Sequence, residues 1–231
     1  MIRLIFKIFA IILISNYNAI TSCGTLWAQS ITIGNQVWMV SNLNVGTFQN
    51  GDSIKEAKTE KDWKAARKNK QPAWCWYNND SSYGKKFGRQ YNWYSVVDSR
   101  GLCPLGWHVP SKHDWLLLVR NLGLESDTFG LESSSDVGGK LKEVGIIEAG
   151  TGLWNHPNTG ATNSSGFSGL PGGTSSSNGP YGIIGEVGYW WSTTERASAS
   201  AWYFGLFYTT EKAFWNTAWK PNGFSVRCLK D

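Results

Sequence analysis

Histidine is scarce in this chain, and the groups that usually carry catalysis are not clustered. The 231 residues include 3 histidines, which stand apart at positions 108, 113 and 156. Cys103 and His108 lack the second pair of ligands that a structural zinc site requires. The sequence Gly166-Phe167-Ser168-Gly169 is one residue short of a Gly-x-Ser-x-Gly elbow, and no phosphate-binding glycine loop is present. We therefore expect no catalytic residues, no cofactor-binding residues and no defined metal centre.

Charge is also sparse, and long hydrophobic runs are lacking. Charged residues make up 17% of the chain, with 22 Lys and Arg against 17 Asp and Glu and a formal net charge of +5. Basic residues gather only between 55 and 70, where a solvated helix face is the simplest interpretation. This balance argues against a nucleic-acid partner.

Aromatic residues and glycine are abundant instead. The chain has 14 Trp and 26 Gly, and 41% of its residues are hydrophobic. A chain of this length and composition can bury a sizeable core as one domain. The glycines, together with a second half rich in Ser and Asn, predict short strands joined by long loops.

The N-terminus has the pattern of an export signal. Arg3 and Lys7 precede Ile8–Ser15, an apolar stretch far too short to span a bilayer. Ile20-Thr21-Ser22-Cys23 resembles the lipid-attachment motif of bacterial lipoproteins. We predict a signal peptide at 1–22, a short tether at 23–30, a single domain at 31–231, and lipidation of Cys23 at the outer membrane or cell surface. The alternative is cleavage after Ala28, which would release a secreted protein.

The cysteine count predicts one disulfide bond. Without Cys23, three cysteines remain in an oxidising compartment, which implies one bridge and one thiol. Cys103 lies beside a loop that starts a helix and Cys228 lies on the last strand, so we predict that these two are paired. Cys75 stands between Trp74 and Trp76, where a buried and inert thiol is the ordinary interpretation.

Local patterns predict one hairpin and two helices. Ile31–Gly34 and Gln36–Val40 flank the turn residues Gly34-Asn35. Thr59 and Asp62 have the spacing of a capping box, and they predict a helix up to Lys70 before Pro72. Ser111 and Asp114 have the same spacing, and an apolar stripe predicts a second helix ending at Gly123 and packed on a sheet. The stripe consists of Trp115, Leu118, Val119 and Leu122.

The second half of the chain alternates between strands and loops. Aromatic and β-branched runs predict strands at Gly188–Thr194, Ala201–Tyr208, Lys212–Asn216 and Phe224–Leu229. Since adjacent strand residues point to opposite faces, at least one of Trp190 and Trp191 is expected to be less buried. Asn155–Asn178 is predicted to be a long loop, and loops of this length are usually functional or held by side-chain hydrogen bonds.

Several segments resemble the Fibrobacter succinogenes major paralogous domain family. These are ITIGNQVWMVSNLNV (31–45), WCWYNND (74–80), GRQYNWYSVVDSRGLCPLGWHVPS (88–111), NTGATNSSGFSGLPGG (158–173), GYWWSTT (188–194) and GFSVRCLKD (223–231). The resemblance implies a secreted or lipid-anchored bacterial domain with no established common activity. It also implies an α+β fold of the C-type lectin-like or sulfatase-modifying-factor-like kind, with short twisted sheets, two helices and long loops.

Two activities of proteins with related folds do not transfer. Trp154-Asn155-His156 and Lys220-Pro221-Asn222 lack the carboxylate with which C-type lectins bind calcium and sugar together. Formylglycine-generating enzymes use a pair of cysteines, whereas Cys228 is the only cysteine near the C-terminus. Calcium held by amides of the 155–165 loop remains an alternative, although a loop stabilised by its own Asn and Thr hydrogen bonds is favoured.

The sequence therefore predicts a non-enzymatic domain that binds an unknown surface ligand, a glycan or a protein, through its loops. Long loops cluster at one end of a C-type lectin-like scaffold, and aromatic side chains there could stack on a ligand. The candidate ligand face consists of Trp154, Asn155, Asn158, Tyr181 and Trp219. The alternatives are an enzyme derived from the formylglycine-generating fold and a structural envelope protein. A concave polar cluster with shifted pKa values would favour the enzyme.

Overall fold

The N-terminal hairpin forms where the sequence predicts it. The computed structural model describes residues 29–124, 136–176 and 180–231, so the predicted signal peptide and Cys23 lie outside the described residues. Strand β1 (Ser30–Ile33) pairs antiparallel with β2 (Gln36–Met39). The connecting Gly34 has φ 61°, a conformation that glycine adopts without steric cost.

The described residues form a mixed α+β structure with four small sheets. The remaining strands are β3 (Lys55–Glu56), β4 (Ala73–Cys75), β5 (Gln90–Tyr91), β6 (Trp107–His108), β7 (Thr174–Ser175), β8 (Tyr181–Gly182), β9 (Val187–Ala197), β10 (Ser200–Phe207), β11 (Ala213–Trp219) and β12 (Leu229–Lys230). The sheet orders are β1-β2-β12-β6, β11-β10-β9, β3-β4-β5 and β7-β8. The helices are α1 (Glu60–Asn69), α2 (Ser81–Phe87), α3 (Trp93–Val96), α4 (Lys112–Asn121) and α5 (Val137–Leu141).

Both predicted helices are present and begin at their predicted caps. Thr59 Oγ1 accepts a hydrogen bond from the Asp62 backbone N–H that begins α1. Ser111 and Asp114 form a complete capping box that begins α4. The expectation of two helices is wrong, because α2, α3 and α5 are also helical. These three helices have seven, four and five residues, too few for a periodic apolar stripe to reveal them. None of the described helices is long and apolar enough to cross a membrane.

The sheet of β9, β10 and β11 separates two hydrophobic clusters. Trp190 and Phe204 lie on one face with Trp115 of α4, whereas Trp191 and Tyr203 lie on the other face. Both Trp190 and Trp191 are fully buried, so the expectation that one would be less buried is wrong. The physical reason is that this sheet is covered on both sides.

The C-terminal segment 223–229 contacts all four sheets. Within this segment, only Leu229 belongs to a strand, which is β12. The predicted strand Phe224–Leu229 is therefore wrong for its first five residues. Isolated bridges instead join Gly223 to β7, Phe224 to β5 and Ser225 to β9. The Val226 and Cys228 carbonyl oxygens then accept hydrogen bonds from Leu43 and Met39. The segment crosses from sheet to sheet, and no single ladder holds it.

The predicted disulfide bond is present in the structure. Cys103 and Cys228 are bonded, with their Cα atoms 6.1 Å apart. Cys75 is a buried free thiol, and burial raises its pKa to about 12. At neutral pH this thiol is therefore protonated, as expected for an inert core cysteine.

Candidate functional site

Two residues of the predicted ligand face lie in the core. Trp154 is 0% exposed, and its Nε1–H donates to the Gly169 carbonyl oxygen. Asn158 is 6% exposed, and its side-chain amide donates to the carbonyl oxygens of Glu143 and Gly145. The prediction that Trp154 is exposed is wrong, and the Asn158 side chain is buried as well. Turn-rich sequence around a Trp does not imply exposure, because a loop can fold over its own apolar side chain.

The other three residues of that face have separate surroundings. Trp219 is 55% exposed, as predicted, and lies under the Arg67 guanidinium at 5.3 Å. Tyr181 is half-buried and donates its hydroxyl hydrogen to Asn79 Oδ1. The Asn155 backbone N–H donates to Gly185. Among the described contacts, none joins Trp219 to Tyr181 or Asn155.

The side-chain amides of Asn158 and Asn163 in the 155–165 loop are hydrogen-bonded to neighbouring segments of the protein. The Asn163 side chain donates to Ser168 Oγ and accepts from the Ser168 backbone N–H. Within residues 29–124, 136–176 and 180–231, no group of three His, Cys, Asp or Glu side chains could hold a metal ion.

An aromatic cleft of about 280 Å³ opens on one face of the β9-β10-β11 sheet. Its lining residues come from all three strands and from the β10–β11 turn. We call the following set the aromatic cleft: Tyr189, Tyr203, Phe207, Thr210, Lys212, Phe214 and Asn216. The aromatic cleft lies on the same face of the sheet as Trp191, whose ring packs against that of Phe224.

Strand alternation and one glycine shape this cleft. Side chains two residues apart share a face, which places Tyr203, Gly205 and Phe207 of β10 together. Gly205 pairs with Tyr189 on one side and with Phe214 on the other. A Cβ atom at Gly205 would lie 2.2 Å from Phe214 Cζ, so only glycine lets this ring lie across the strand. The Phe207 and Phe214 rings stack with centroids 4.4 Å apart.

Polar groups accompany the rings. Tyr189 and Tyr203 lie with ring centroids 4.8 Å apart, and burial raises the pKa of both hydroxyls, which also hydrogen-bond to each other. Both hydroxyls are therefore neutral at physiological pH. Asn216 is exposed and Lys212 is half-buried at the margin. The aromatic cleft thus combines apolar ring faces with hydroxyl, amide and ammonium groups.

A buried lysine holds the turn that borders the cleft. Lys142 is fully buried, and its Nζ donates to the carbonyl oxygens of Thr159, Phe207 and Thr210 at 2.7, 3.0 and 2.9 Å. Burial lowers the pKa of Lys142 to about 8, so the ammonium is charged at neutral pH. Two of its three acceptors belong to residues of the aromatic cleft. Lys142 therefore acts as a positioning residue for this turn.

A larger apolar cleft of about 640 Å³ lies beside the disulfide bond. Its floor is formed by Met39, Leu43, Phe48 and Leu102, and its margin includes Leu105, which is 80% exposed. The neutral side chains of Asn44 and Gln49 stand at the rim. Ser41, Asn42 and Thr47 also line this cleft, so its apolar surface is accompanied by several neutral polar groups.

The aromatic cleft is lined by aromatic, hydroxyl-bearing, amide and ammonium side chains. Among these lining residues there is no His, Cys, Asp or Glu. These residues were not predicted from the sequence, because most of them lie on strands, whereas the sequence predicts a ligand face on loops. The available signal was the two-residue spacing Tyr203-x-Gly205-x-Phe207 beside Phe214-x-Asn216.

Comparison with known proteins identifies the family. No curated protein and no solved structure matches the chain. Residues 31–230 match the sequence model of the Fibrobacter succinogenes major domain. This range includes both clefts, the disulfide bond and all four sheets except Ser30, the first residue of β1. The chain therefore belongs to the Fibrobacter succinogenes major domain family, as the resemblance of its motifs predicts.

Proposed function

We propose that this protein is an exported, lipid-anchored domain of C-type lectin-like architecture that binds a neutral glycan at the cell surface. The aromatic cleft supports this function best. It replaces the loop face as the ligand site, because Trp154 and Asn158 are buried. The membrane contact is the lipid on Cys23, and the ligand is bound without chemical change.

The composition of the cleft carries the proposal. Sugar rings present apolar C–H faces and equatorial hydroxyl groups, so a site for them needs ring faces and hydrogen-bonding groups together. The half-buried Tyr189 and Phe207 rings supply the first, and the Tyr189 hydroxyl and the exposed Asn216 amide supply the second. A cavity of about 280 Å³ suits one or two sugar units. Stacking contributes about 1 kcal/mol per ring, which predicts weak binding strengthened by many anchored copies.

Asn216→Ala and Tyr189→Phe should each weaken glycan binding about 5-fold, because each removes one hydrogen-bonding group and leaves the rings in place. Binding of residues 24–231 to a neutral glycan array, followed by titration calorimetry with the best glycan, measures this. Trp219→Ala is the matched control, since it removes an exposed aromatic side chain outside the cleft.

The two possible ligand faces give opposite results in this experiment. If Trp219→Ala loses binding while Asn216→Ala and Tyr189→Phe keep it, the aromatic cleft is not the ligand site. The loop face would then be favoured. If the protein binds no neutral glycan on the array, the proposal that its ligand is a neutral glycan is wrong. Melting temperatures of all three variants should stay close to that of the wild type, because none of the changes opens a core cavity.

The lipid anchor has its own test. Cys23→Ser should move the protein from the detergent-extracted membrane fraction to a soluble or unprocessed form, because the modified sulfur is lost. Mass spectrometry of the mature N-terminus should show a lipidated residue 23. Unchanged fractionation, or a mature protein that begins at Gln29, would contradict the anchor and favour cleavage after Ala28.

A further inference from the structure

Arg89 lies between two tryptophan rings at the end of the β4–β5 pair. Its guanidinium carbon is 3.8 Å from the Trp74 ring centroid and 4.6 Å from that of Trp76. The two rings meet edge to face with centroids 5.1 Å apart. Cation–π contacts of this kind fix the guanidinium, and because the two rings stand at 73° to each other, no more than one of them can stack flat on it.

The charge of Arg89 has no acidic partner among the described residues. Its polar neighbours are the Asn44 carbonyl oxygen, 3.5 Å from Nη1, and the Tyr91 hydroxyl, and both groups are neutral. The Arg89 Nε atom is buried and makes no hydrogen bond, so the donors that a ligand could reach belong to the terminal Nη1 and Nη2 atoms. By contrast, Arg100 binds the carboxylates of Asp52 and Asp98. A fixed cation with unused donors is the usual receptor for an oxyanion.

The surroundings of Arg89 favour a negative ligand. Gly46 faces the guanidinium, and a Cβ atom there would lie 2.8 Å from Nη1, so a larger residue would crowd these donors. Lys85 and Lys86 are exposed in the last turn of α2, four and three residues before Arg89 in the chain. Asn44 is exposed beside them, and its side-chain amide donates to Gly84. Gly84 lies directly against the Trp76 ring, so part of that ring is covered by the protein itself.

We propose that Trp74, Trp76 and Arg89 form a binding site for the oxyanion group, a carboxylate or a sulfate, of an acidic saccharide. Arg89 would hold two oxygens of the group through parallel N–H···O bonds. The half-buried Trp76 ring would contact the body of the sugar. The motif GRQYNWY contains this arginine, and the aromatic cleft does not use it. This site is separate from the aromatic cleft, and its test does not depend on neutral glycans.

Three ligands test whether this site needs a negative charge and which oxyanion it binds. They are tri-galacturonate, its methyl ester and glucose 6-sulfate. Wild-type protein should bind tri-galacturonate or glucose 6-sulfate in calorimetry, with a change in tryptophan fluorescence, and should not bind the uncharged methyl ester. Arg89→Gln should weaken binding about 10-fold or more, because the bidentate contact is lost. Lys86→Gln removes the same charge nearby and should change affinity less than about 2-fold.

Three outcomes would overturn this site. They are equal binding of the ester and the acid, equal losses in Arg89→Gln and Lys86→Gln, and absence of binding for both anions. If Arg89→Gln does not fold, Arg89→Lys keeps the cation but lacks the planar fork. That variant should then lose about 5-fold in affinity at an unchanged melting temperature, and wild-type affinity in it would equally contradict the proposal.

Discussion

Arg227→Leu should lower the free energy of unfolding by about 3–5 kcal/mol. Arg227 is fully buried, and all of its donor groups are used inside the protein. Nη1 donates to the Met39 and Phe167 carbonyl oxygens, and Nη2 donates to Ser168. Nε and Nη2 both donate to Asn42 Oδ1 at 3.2 and 2.9 Å. Leucine would leave these buried acceptors without their donor.

A positive charge alone is not sufficient to replace Arg227, so a lysine at this position should also destabilise the protein. Burial lowers the pKa of Arg227 to about 9, so the side chain still carries its proton at neutral pH. Arg227→Lys keeps a cation but has three donors at one point, which cannot reach acceptors spread over residues 39, 42, 167 and 168. We expect Arg227→Lys to lose nearly as much stability as Arg227→Leu.

Urea denaturation followed by tryptophan fluorescence measures these changes. Arg196→Leu is the control, since Arg196 is exposed and its replacement should change stability by less than about 0.5 kcal/mol. A loss below about 1 kcal/mol in Arg227→Leu would show that the acceptors find other donors, and the structural role assigned to Arg227 would be wrong.

Removing the Cys103–Cys228 bond should cost about 4–5 kcal/mol, because it closes a loop with a sequence separation of 125 residues. The bond constrains the unfolded chain, and a longer loop loses more entropy when it is closed. It also joins segment 223–229, which contacts all four sheets, to the loop that precedes α4. The double variant Cys103→Ser, Cys228→Ser and the wild type under reducing conditions should show the same loss of stability.

Peptide mapping without reduction provides the direct check. One crosslink should join the peptides that contain residues 103 and 228, and Cys75 should resist alkylation until the protein unfolds, since burial raises its pKa. Cys75→Ala is the matched control and should keep the crosslink with a loss of about 1 kcal/mol. A crosslink that contains Cys75, or a stability unchanged by reduction, would contradict the role assigned to the bond.

Features set by near neighbours in the chain could be predicted. The caps Thr59 and Ser111 bind backbone groups three residues away, so their spacing is sufficient to place the starts of α1 and α4. The β1–β2 hairpin likewise depends on Gly34 and two short flanking runs. The cysteine pair followed from a count of three candidates and from their different local settings, because one free thiol was required.

Exposure and ligand contact depend on distant parts of the chain. Trp154 is buried because its indole reaches Gly169, and Trp191 is buried because the Phe224 ring lies 4.5 Å away. Neither neighbour can be identified from the sequence around these tryptophans. The aromatic cleft exists because the register of three strands places Phe214 beside Gly205 and Tyr189 on its other side. A shift of one residue would turn these rings to the opposite face.

The amino-acid sequence alone determined the family, the mixed α+β class, the two long helices and the disulfide pair, because each is encoded by spacing, composition or local capping. The location of the candidate sites depends on contacts between distant parts of the chain. Segment 223–229 reads as a strand, yet it crosses four sheets because its backbone groups find partners in each of them. Arg89 and Arg227 read as ordinary basic residues. Tertiary contacts enclose Arg227 among four acceptors and leave Arg89 between two rings with donors unused, because long-range packing assigns the partners of a charged side chain.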